Sequence, residues 1–409
     1  MKILYLSYYF HPDITAAAFR SSDFVEFLEH QKIEHRVITT FPHKSDESIG
    51  TDDKPTYPLK RIRLKEMNNN KFLSYVLHYL SFIPKAFQIA LKWRLRGWRP
   101  SIVFISSPPI FIGLLGLMLK WIFRCKLVLE VRDIWPESAV AAGQLNPKGR
   151  PYKIARFFEK TLYRKSNGIV CVGKYMKNYI AKYTDKEICI AYNGYKEIPS
   201  TKRIIESAGG AERENQQVSK KIRLAYAGNF GLVQGLECLI EAFAELIQVD
   251  TRYKWELHFF GTGVLENKLR NQVTVHKIDE HIVFRGAFPK QVLNEKLEEM
   301  DVLFLGLIKS EALENTIPSK LFDYLSFGKP ILAALSGEGK EILALNRSNI
   351  VVDECTSTAI FHGLVKMEEN FPKRIVFGKE NKEILNQGFT REKNNAKIIS
   401  YLSRILSDK

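Results

Sequence analysis

Residues 315–333 read NTIPSKLFDYLSFGKPILA, a stretch that predicts a short helix followed by a buried strand. Pro318 suits the start of the helix, because its φ is fixed and the N–H it lacks would be unpaired there. Gly328 suits the end of the helix, and Ile331 begins a short apolar run typical of a buried strand. The stretch therefore belongs to a fold in which strands and helices alternate.

The same alternation extends through both halves of the chain. Short apolar runs between helical segments are typical of a parallel sheet with helices on both faces. In the first half, strands are predicted at residues 3–7, 36–40, 102–105, 127–131 and 168–172. In the second half, they are predicted at residues 224–228, 255–260, 282–284, 302–305 and 331–334. The sequence thus predicts an α/β protein with two doubly wound sheets.

The length of 409 residues favours two domains, because one ordinary core would be too small for it. Residues 197–221 are polar and lack periodicity, as a linker or mobile loop would. We expect domains at 1–196 and 222–395, with a final helical stretch at 396–409. Two such Rossmann-like domains are expected to face a central cleft, where the carboxyl ends of the strands bind ligands.

Composition indicates a soluble cytoplasmic protein. The five cysteines show no CxxC spacing, which argues against a zinc site or a disulfide framework and favours a reducing compartment. No secretory signal is visible at the start of the chain. The apolar run 110–123 is shorter than the roughly 20 residues of a membrane span, so we expect a buried core helix there.

Positive charge is concentrated in the first half of the chain. Residues 1–200 hold 32 Lys and Arg against 17 Asp and Glu, whereas residues 201–409 hold 29 against 28. A basic half suggests an anionic partner, either nucleic acid or a membrane surface. Within residues 85–99, three basic side chains share one helical face, which fits a membrane-surface helix or a solvated basic face over a core stripe. Residues 61–65 alternate as an edge strand would and extend this charge.

Two segments of the second half have the residue types of an anion site. Ser319 and Lys320 fall in the first turn of the predicted helix, where free N–H groups and a point charge attract anions. Asp323 lies one turn further on the same side, placed to accept hydrogen bonds from ribose hydroxyls. Gly228 and Gly231 follow a predicted strand and would let backbone amides approach a pyrophosphate. An ordinary capped helix and a plain tight turn are the alternatives.

Five segments together resemble the retaining GT-B glycosyltransferases of family 4, and especially bacterial surface-polysaccharide transferases such as N-acetylfucosamine transferases. The motifs that carry the resemblance keep their order over nearly the whole chain and lie at residues 8–13, 130–138, 192–194, 226–236 and 318–331. The resemblance implies a hexosyltransferase-type enzyme that transfers a sugar from a nucleotide diphosphate-sugar. The donor is expected to be UDP-linked and to carry an N-acetylated amino sugar.

The resemblance also implies the partners of such an enzyme. The acceptor is expected to be a lipid-linked or other saccharide in lipopolysaccharide or capsule synthesis. The protein would be peripheral at the inner face of the plasma membrane, with its basic first domain toward the anionic lipid. No metal or other cofactor and no nucleic acid are expected. The last helix, at 396–409, is expected to cross back onto the first domain.

Roles for individual residues follow from the resemblance. The acceptor-side candidates are Asp133, which would orient or deprotonate the acceptor hydroxyl, with Arg132 and His11 nearby. A structural Arg–Asp pair that braces the following turn is the alternative for residues 132 and 133. The donor-side candidates are Gly228, Asn229, Gln234, Arg285, Glu311, Glu314, Asn315, Pro318, Ser319, Lys320, Leu321 and Asp323.

This chain departs from the family pattern at two places. Many members have an arginine and a lysine at the positions of Asn229 and Gln234, so the diphosphate charge here falls to Lys320, Arg132 and helix N-termini. The family's Glu-x7-Glu pair is represented by Asp323 and, eight residues earlier, by Asn315. The neighbouring Glu314 and Glu311 are alternatives for the first carboxylate.

Two other functions are weighed against glycosyl transfer. A GT-B-fold sugar-nucleotide epimerase would need a cleft rich in acids and histidines, which are sparse here. A basic nucleic-acid-binding protein would fit the charge, but no RRM, KH or helix-turn-helix pattern is present.

Overall fold

The computed structural model describes residues 1–13, 15–42, 55–64, 72–196 and 221–407. The chain divides into two compact units, unit one with Met1–Asn193 and Arg391–Lys409 and unit two with Gly194–Thr390. The expected division at residue 396 is corrected to 391, because the final helix begins there and packs on unit one from its first turn. The predicted linker 197–221 lies outside the described residues except for Lys221.

Unit one contains a seven-stranded sheet in which neighbouring strands are parallel. Its spatial order is β3-β2-β1-β4-β5-β6-β7, and the strands are β1 Lys2–Ser7, β2 Glu34–Thr40, β3 Leu59–Ile62, β4 Ile102–Ser107, β5 Lys126–Val131, β6 Gly168–Cys171 and β7 Ile188–Ile190. The central strands β1 and β4 are buried on both faces, as their continuous apolar sequences predict.

Helices cover both faces of this sheet. They are α1 Ala16–His30, α2 Phe72–Leu80, α3 Phe82–Leu95, α4 Ile112–Phe123, α5 Glu137–Ala141, α6 Arg150–Lys165 and α7 Lys174–Ala181. Helix α4 is the apolar stretch predicted to be a buried core helix, and that prediction is correct for only one face. Leu115 and Leu119 are buried, but Leu114, Met118 and Trp121 point to solvent.

Helix α3 contains the basic stretch for which two interpretations were open. Phe82, Ala86 and Trp93 are buried in the core of unit one, and Lys92 and Arg96 are exposed. The arrangement is that of a solvated basic face over a core stripe. The suggested edge strand is β3, which ends the sheet, and Lys65 lies outside the described residues.

Unit two repeats the architecture with a six-stranded parallel sheet in the order β10-β9-β8-β11-β12-β13. Its strands are β8 Lys221–Ala227, β9 Lys254–Phe260, β10 Ile282–Gly286, β11 Val302–Gly306, β12 Ile331–Ala334 and β13 Ile350–Val352. Its helices are α8 Leu236–Gln248, α9 Glu266–His276, α10 Lys290–Glu298, α11 Glu311–Glu314, α12 Ser319–Ser326, α13 Gly337–Ala344, α14 Ser357–Glu368, α15 Phe371–Gly378 and α16 Glu380–Gly388. The expectation of two Rossmann-like α/β domains is confirmed.

The last helix, α17 Arg391–Ser407, returns to unit one and packs against α1, β6 and β7. Ile398 and Leu402 are fully buried in a core that includes Phe24 of α1. Tyr401 adds polar contacts, because its hydroxyl accepts a hydrogen bond from the Ile169 N–H at 3.1 Å and donates one to the carbonyl of Glu187. The end of the chain is thus part of the first core.

None of the helices in the described part of the chain is long and apolar enough to cross a membrane.

The hydroxyl of Tyr401 is expected to contribute measurably to the stability of unit one. In Tyr401→Phe the buried Ile169 N–H loses its acceptor, which costs about 1–3 kcal/mol in the free energy of unfolding. Urea denaturation followed by fluorescence measures this loss. Ser400→Ala, at an exposed position on the same helix, is the control, and equal midpoints for the two variants would contradict the assigned role.

Candidate functional site

Both sheets have a point at which the strand order reverses direction, between β1 and β4 in unit one and between β8 and β11 in unit two. Open α/β sheets bind ligands outside the carboxyl ends of the strands at such points. Gly228 directly follows β8, and His11 lies in the loop after β1. The predicted site residues therefore fall into two groups, one in each unit.

In unit two, Lys320 lies directly over Gly228. A Cβ atom at residue 228 would be 2.3 Å from Lys320 Nζ and 2.3 Å from its Cε, so only glycine leaves room for this side chain. Gly228 also has a φ of +137°, which side chains rarely allow. The two predicted segments, 226–236 and 318–331, thus meet at one place.

Two tyrosines hold this contact. Lys320 Nζ donates to the hydroxyl of Tyr226 at 2.5 Å, and that hydroxyl donates to the carbonyl of Asn229 at 2.7 Å. The N–H of Ala227 donates to the hydroxyl of Tyr324 at 2.9 Å, so α12 is fixed to the end of β8. Neither tyrosine was assigned a role from the sequence, although both lie inside the motifs quoted for the resemblance.

The charges in this group have shifted pKa values. Burial lowers the pKa of Lys320 to about 7, against the opposing effect of Asp323. Burial raises the pKa of Asp323, although Lys290 and Lys320 oppose the shift. Lys290, at the start of α10, is 3.4 Å from the Asp323 carboxylate, and 37% of the Asp323 side chain remains exposed. The site therefore presents a cation that is costly to keep charged when no anion is near it.

The loop after β8 is formed by close backbone approaches. A Cβ at Gly261 would lie 1.9 Å from the carbonyl oxygen of Gly228, and one at Gly263 would lie 2.5 Å from that of Phe230. A Cβ at Gly231 would meet Gln234 Oε1 at 2.6 Å. Gln234 Oε1 is buried and accepts no hydrogen bond from the described residues. This oxygen is an unused acceptor inside the loop.

The beginning of α12 has the geometry that its sequence predicts. Pro318 is the N-cap residue and Ser319 is the first helical residue. Leu321 is fully buried, and its N–H donates to the carbonyl of Pro318 at 3.0 Å. Its side chain therefore anchors the helix in the core of unit two.

The three candidates for the first carboxylate differ in their surroundings. Glu311 is exposed, and its carbonyl accepts a hydrogen bond from the Asn315 side chain at 2.7 Å. Glu314 Oε1 accepts a hydrogen bond from the hydroxyl of Ser336 at 3.2 Å. A Cβ at Gly337, where φ is +72°, would lie 2.2 Å from the Glu314 carbonyl oxygen. The close approach of Gly337, the first residue of α13, thus fixes the position of the Glu314 backbone.

Arg285 lies at the end of the edge strand β10 and is exposed. Its Nε is 3.4 Å from Nδ1 of His258 on the neighbouring strand. This contact joins Arg285 to β9, whereas Lys320 contacts Tyr226 and Gly228 at the end of β8.

In unit one, a buried ion pair lies beneath the loops that follow β1, β4 and β5. Arg20 Nε is 3.1 Å from Glu130, and its two other nitrogens donate to the carbonyls of Ala191 and Tyr192. Ser106 donates to the second oxygen of Glu130 at 2.6 Å. Burial acts to raise the pKa of Glu130, but the positive charges of Arg20 and Arg132 outweigh it and lower that pKa.

Arg132 and Asp133 do not pair directly with each other as the structural alternative supposed. Arg132 Nε donates to the carbonyl of Ser107 at 3.2 Å and Nη1 to that of Ala17 at 3.0 Å. Nη2 is buried and has no hydrogen-bond partner among the described residues. Asp133 accepts a hydrogen bond from Ser138 at 2.8 Å, and burial raises the pKa of Asp133.

His11 is exposed in the loop after β1. Its N–H donates to the hydroxyl of Ser22 at 2.9 Å, and its carbonyl accepts a hydrogen bond from Arg61. The backbone of this residue is thus fixed on both sides. Ile14, three residues further along this loop, lies outside the described residues.

Lys290 is a further site residue, beside Tyr226 and Tyr324, that sequence reasoning missed. It is separated from Asp323 by 33 residues, and no local motif connects the two. The described residues include no group of three or more His, Cys, Asp or Glu side chains that could hold a metal ion.

Two family models match the chain, one in each half. The Glycosyltransferase Family 4 model matches residues 22–196, and the model described as Glycosyl transferases group 1 matches residues 221–370. The first match covers β2 to β7 of unit one, and the second covers most of unit two.

Individual proteins show the same similarity. The uncharacterized glycosyltransferase MJ1069 of Methanocaldococcus jannaschii is 24% identical over 62% of this chain and 64% of its own length. The putative colanic acid biosynthesis glycosyl transferase WcaI of Escherichia coli K12 is 26% identical over 80% of this chain and 82% of its own.

A solved structure supports the same fold. The crystal structure of Anabaena HepE in complex with UDP and glucose superimposes with a TM-score of 0.67. It is 15% identical and covers 98% of this chain and 99% of its own. With two parallel-sheet Rossmann-like units and a match to a glycosyltransferase model in each, the chain is a glycosyltransferase of the GT-B fold class.

Proposed function

We propose that this protein is a retaining transferase that moves a hexosyl group from a UDP-sugar to a lipid-linked saccharide in surface polysaccharide synthesis. The observation that carries the proposal is the contact of Lys320 with Gly228 at the switch point of unit two. A cation, a glycine turn and the first turn of α12 together suit a diphosphate.

The donor is held by unit two in this proposal. Lys320 binds the diphosphate oxygens, and free N–H groups in the first turn of α12 add hydrogen bonds. Asp323 accepts hydrogen bonds from ribose hydroxyls and is balanced by Lys290. The buried Gln234 Oε1 accepts a hydrogen bond from a hydroxyl of the donor sugar and does not replace the cation that the resembling family often has at this position.

The acceptor is held by unit one. During transfer the bond between the sugar and the diphosphate breaks, the acceptor oxygen bonds to the same face of the sugar, and the acceptor proton leaves. Asp133 orients this hydroxyl or takes its proton, and burial gives the carboxylate the raised pKa that a base needs. Stabilisation of the departing diphosphate and positioning of the acceptor account for the catalysis.

The choice of donor and pathway is supported by the relatives. HepE was crystallised with UDP and glucose, and WcaI is named for colanic acid, a polysaccharide. The N-acetylated amino sugar rests on the resemblance of the sequence motifs alone. The basic first half, at 32 Lys and Arg against 17 Asp and Glu, suits an acceptor at an anionic membrane surface.

A panel of UDP- and GDP-sugars, scored by thermal stabilisation and by nucleotide release, tests the proposed function. We expect stabilisation by one UDP-sugar and release of UDP, because transfer or slow hydrolysis cleaves the sugar from the diphosphate. Lys320→Ala and Asp323→Ala are expected to weaken donor binding by about ten- to a hundredfold, the effect of losing a hydrogen bond to a charged group. Interconversion of the sugar without nucleotide release would instead identify an epimerase.

The Lys320 ammonium is expected to make donor binding pH-dependent. In the protein without bound donor, the Lys320 side chain has a pKa of about 7. Because a diphosphate stabilises the charged form of this lysine, donor affinity is full below pH 7 and falls as the pH rises above 7. A UDP-sugar is the right probe, because its diphosphate diester keeps a constant charge near neutrality. Calorimetric titration from pH 6 to about 9 measures the effect.

Two variants provide the controls for this pH dependence. Lys320→Arg keeps a cation at every pH and is expected to flatten the profile. Lys296→Met removes a partly exposed lysine of α10 and is expected to leave the pH profile unchanged. A wild-type affinity that does not change between pH 6 and 9 would exclude Lys320 as the diphosphate ligand.

Asp133 is expected to act after the donor has bound. Asp133→Asn keeps the shape and the Ser138 contact but removes the negative charge, so turnover should fall by about a hundredfold or more. Donor affinity should stay within twofold of wild type. Steady-state kinetics with a saccharide acceptor and titration with the donor separate the two effects, and a loss confined to donor affinity would refute the acceptor-side role.

A further inference from the structure

An exposed apolar surface on unit one has no role in the site described above. It consists of two stripes, Leu114, Met118 and Trp121 on α4 and Ile154 and Phe157 on α6, which we name the α4–α6 surface. Trp121 is 81% exposed and Phe157 is 72% exposed. Large apolar side chains grouped in this way normally indicate a binding surface.

The two stripes lie on neighbouring helices. A Cβ at Gly113 of α4 would be 2.3 Å from Leu162 of α6, which shows how closely the helices pack. The ammonium of Lys120 on α4 donates to the carbonyl of Lys165 at the end of α6 at 2.7 Å. The spacing of residues 114, 118 and 121 places them along one side of α4, opposite the buried Leu115 and Leu119.

The surroundings of this surface are positively charged. Residues 67–129 contain nine Lys and Arg but no Asp or Glu. The exposed side chains of Arg124 and Lys153 flank the stripes. Helix α6 contains one acidic residue, Glu159, which is fully buried and paired with Arg156 and Tyr163.

We propose that the α4–α6 surface docks on an anionic lipid bilayer, with Trp121 and Phe157 inserted at the headgroup level. Apolar side chains beside Lys and Arg are the features of a helix that lies in a membrane interface. Trp is favoured there, because its ring is apolar and its N–H reaches water. This inference rests on the proposed lipid-linked acceptor and specifies which part of unit one meets the membrane.

Charge argues against a second copy of this chain as the occupant. A two-fold contact would bring the same basic patch against itself, and like charges across an interface are repulsive. Nucleic acid would match the charge, but the aliphatic side chains of Leu114, Met118 and Ile154 provide no stacking or hydrogen bonds to it. A bilayer satisfies both the charge and the apolar side chains.

Trp121 is itself a probe of this docking. It is the exposed member of the five tryptophans, since Trp93, Trp98, Trp135 and Trp255 are buried. Flotation of the full chain with phosphatidylcholine vesicles, with and without phosphatidylglycerol, measures binding. We expect binding to the anionic vesicles, a blue shift of the fluorescence and protection of Trp121 from an aqueous quencher. Binding should weaken as salt is raised.

The double variant Trp121→Ser/Phe157→Ser is expected to weaken vesicle binding by about tenfold or more, because it removes both inserted side chains. The matched control is Val264→Ser/Leu345→Ser, which changes two side chains of unit two that are 79% and 66% exposed. The control should bind vesicles as the wild type does. Equal binding by both double variants, or no preference of the wild type for anionic vesicles, would overturn the proposal.

Sedimentation without lipid and UDP release complete the test. If the wild type is a dimer and the Trp121→Ser/Phe157→Ser variant is a monomer, the surface serves self-association, and the proposal is overturned. UDP release from the donor in solution is expected to be unchanged in this variant. For the wild type, no preference for anionic vesicles with intact UDP release would refute the docking surface alone, whereas absent UDP release with intact vesicle docking would refute the proposed function alone.

Discussion

The contact between a lysine and a glycine determines the arrangement of the site in unit two. Because residue 228 has no side chain, Lys320 reaches the end of β8 and places its ammonium on the Tyr226 hydroxyl. The same approach fixes the start of α12 beside the loop at 228–234. A larger residue at 228 would displace the lysine and, with it, the one cation that the motif brings to this turn. In the proposed function, Lys320 supplies the positive charge for the diphosphate that the uncharged Asn229 and Gln234 lack.

The burial that lowers the pKa of Lys320 has a cost and a use. An ammonium with a pKa of about 7 is charged in only part of the molecules at neutral pH, because little water remains to solvate it. An arriving anion restores the charge and receives a hydrogen bond stronger than one made in water. In unit one, by contrast, two buried charges form an ion pair with each other. Arg20 and Glu130 are fully buried but paired, and Nη2 of the neighbouring Arg132 is buried without a hydrogen-bond partner in the described part of the chain. A pair of this kind fixes the ends of the strands, since breaking it would leave a buried charge.

Much of the fold follows from the sequence, because strands buried on both faces read as continuous apolar runs. Ten strands were predicted in this way, and each overlaps an observed strand. The missed strands β7 and β13 have three residues each, too few to stand out from buried helix segments. Within the site, Lys320 and Asp323 were predicted together because helical spacing places them on one side. Lys290 was not, because its contact with Asp323 depends on tertiary packing between α10 and α12.

Helix α4 shows the limit of the same kind of inference. Its sequence is apolar all round, and such a helix is normally buried on every side. The apolar run that forms α4 is shorter than a membrane span, but its length does not reveal that one side lacks a protein partner in unit one. In unit one the sheet covers the side with Leu115 and Leu119, while the opposite side keeps Leu114, Met118 and Trp121 in contact with water. Selection for stability alone would favour polar residues at these three positions, because exposed apolar side chains gain nothing from folding. Their presence beside a region free of acidic residues therefore points to a constraint that comes from outside the folded chain.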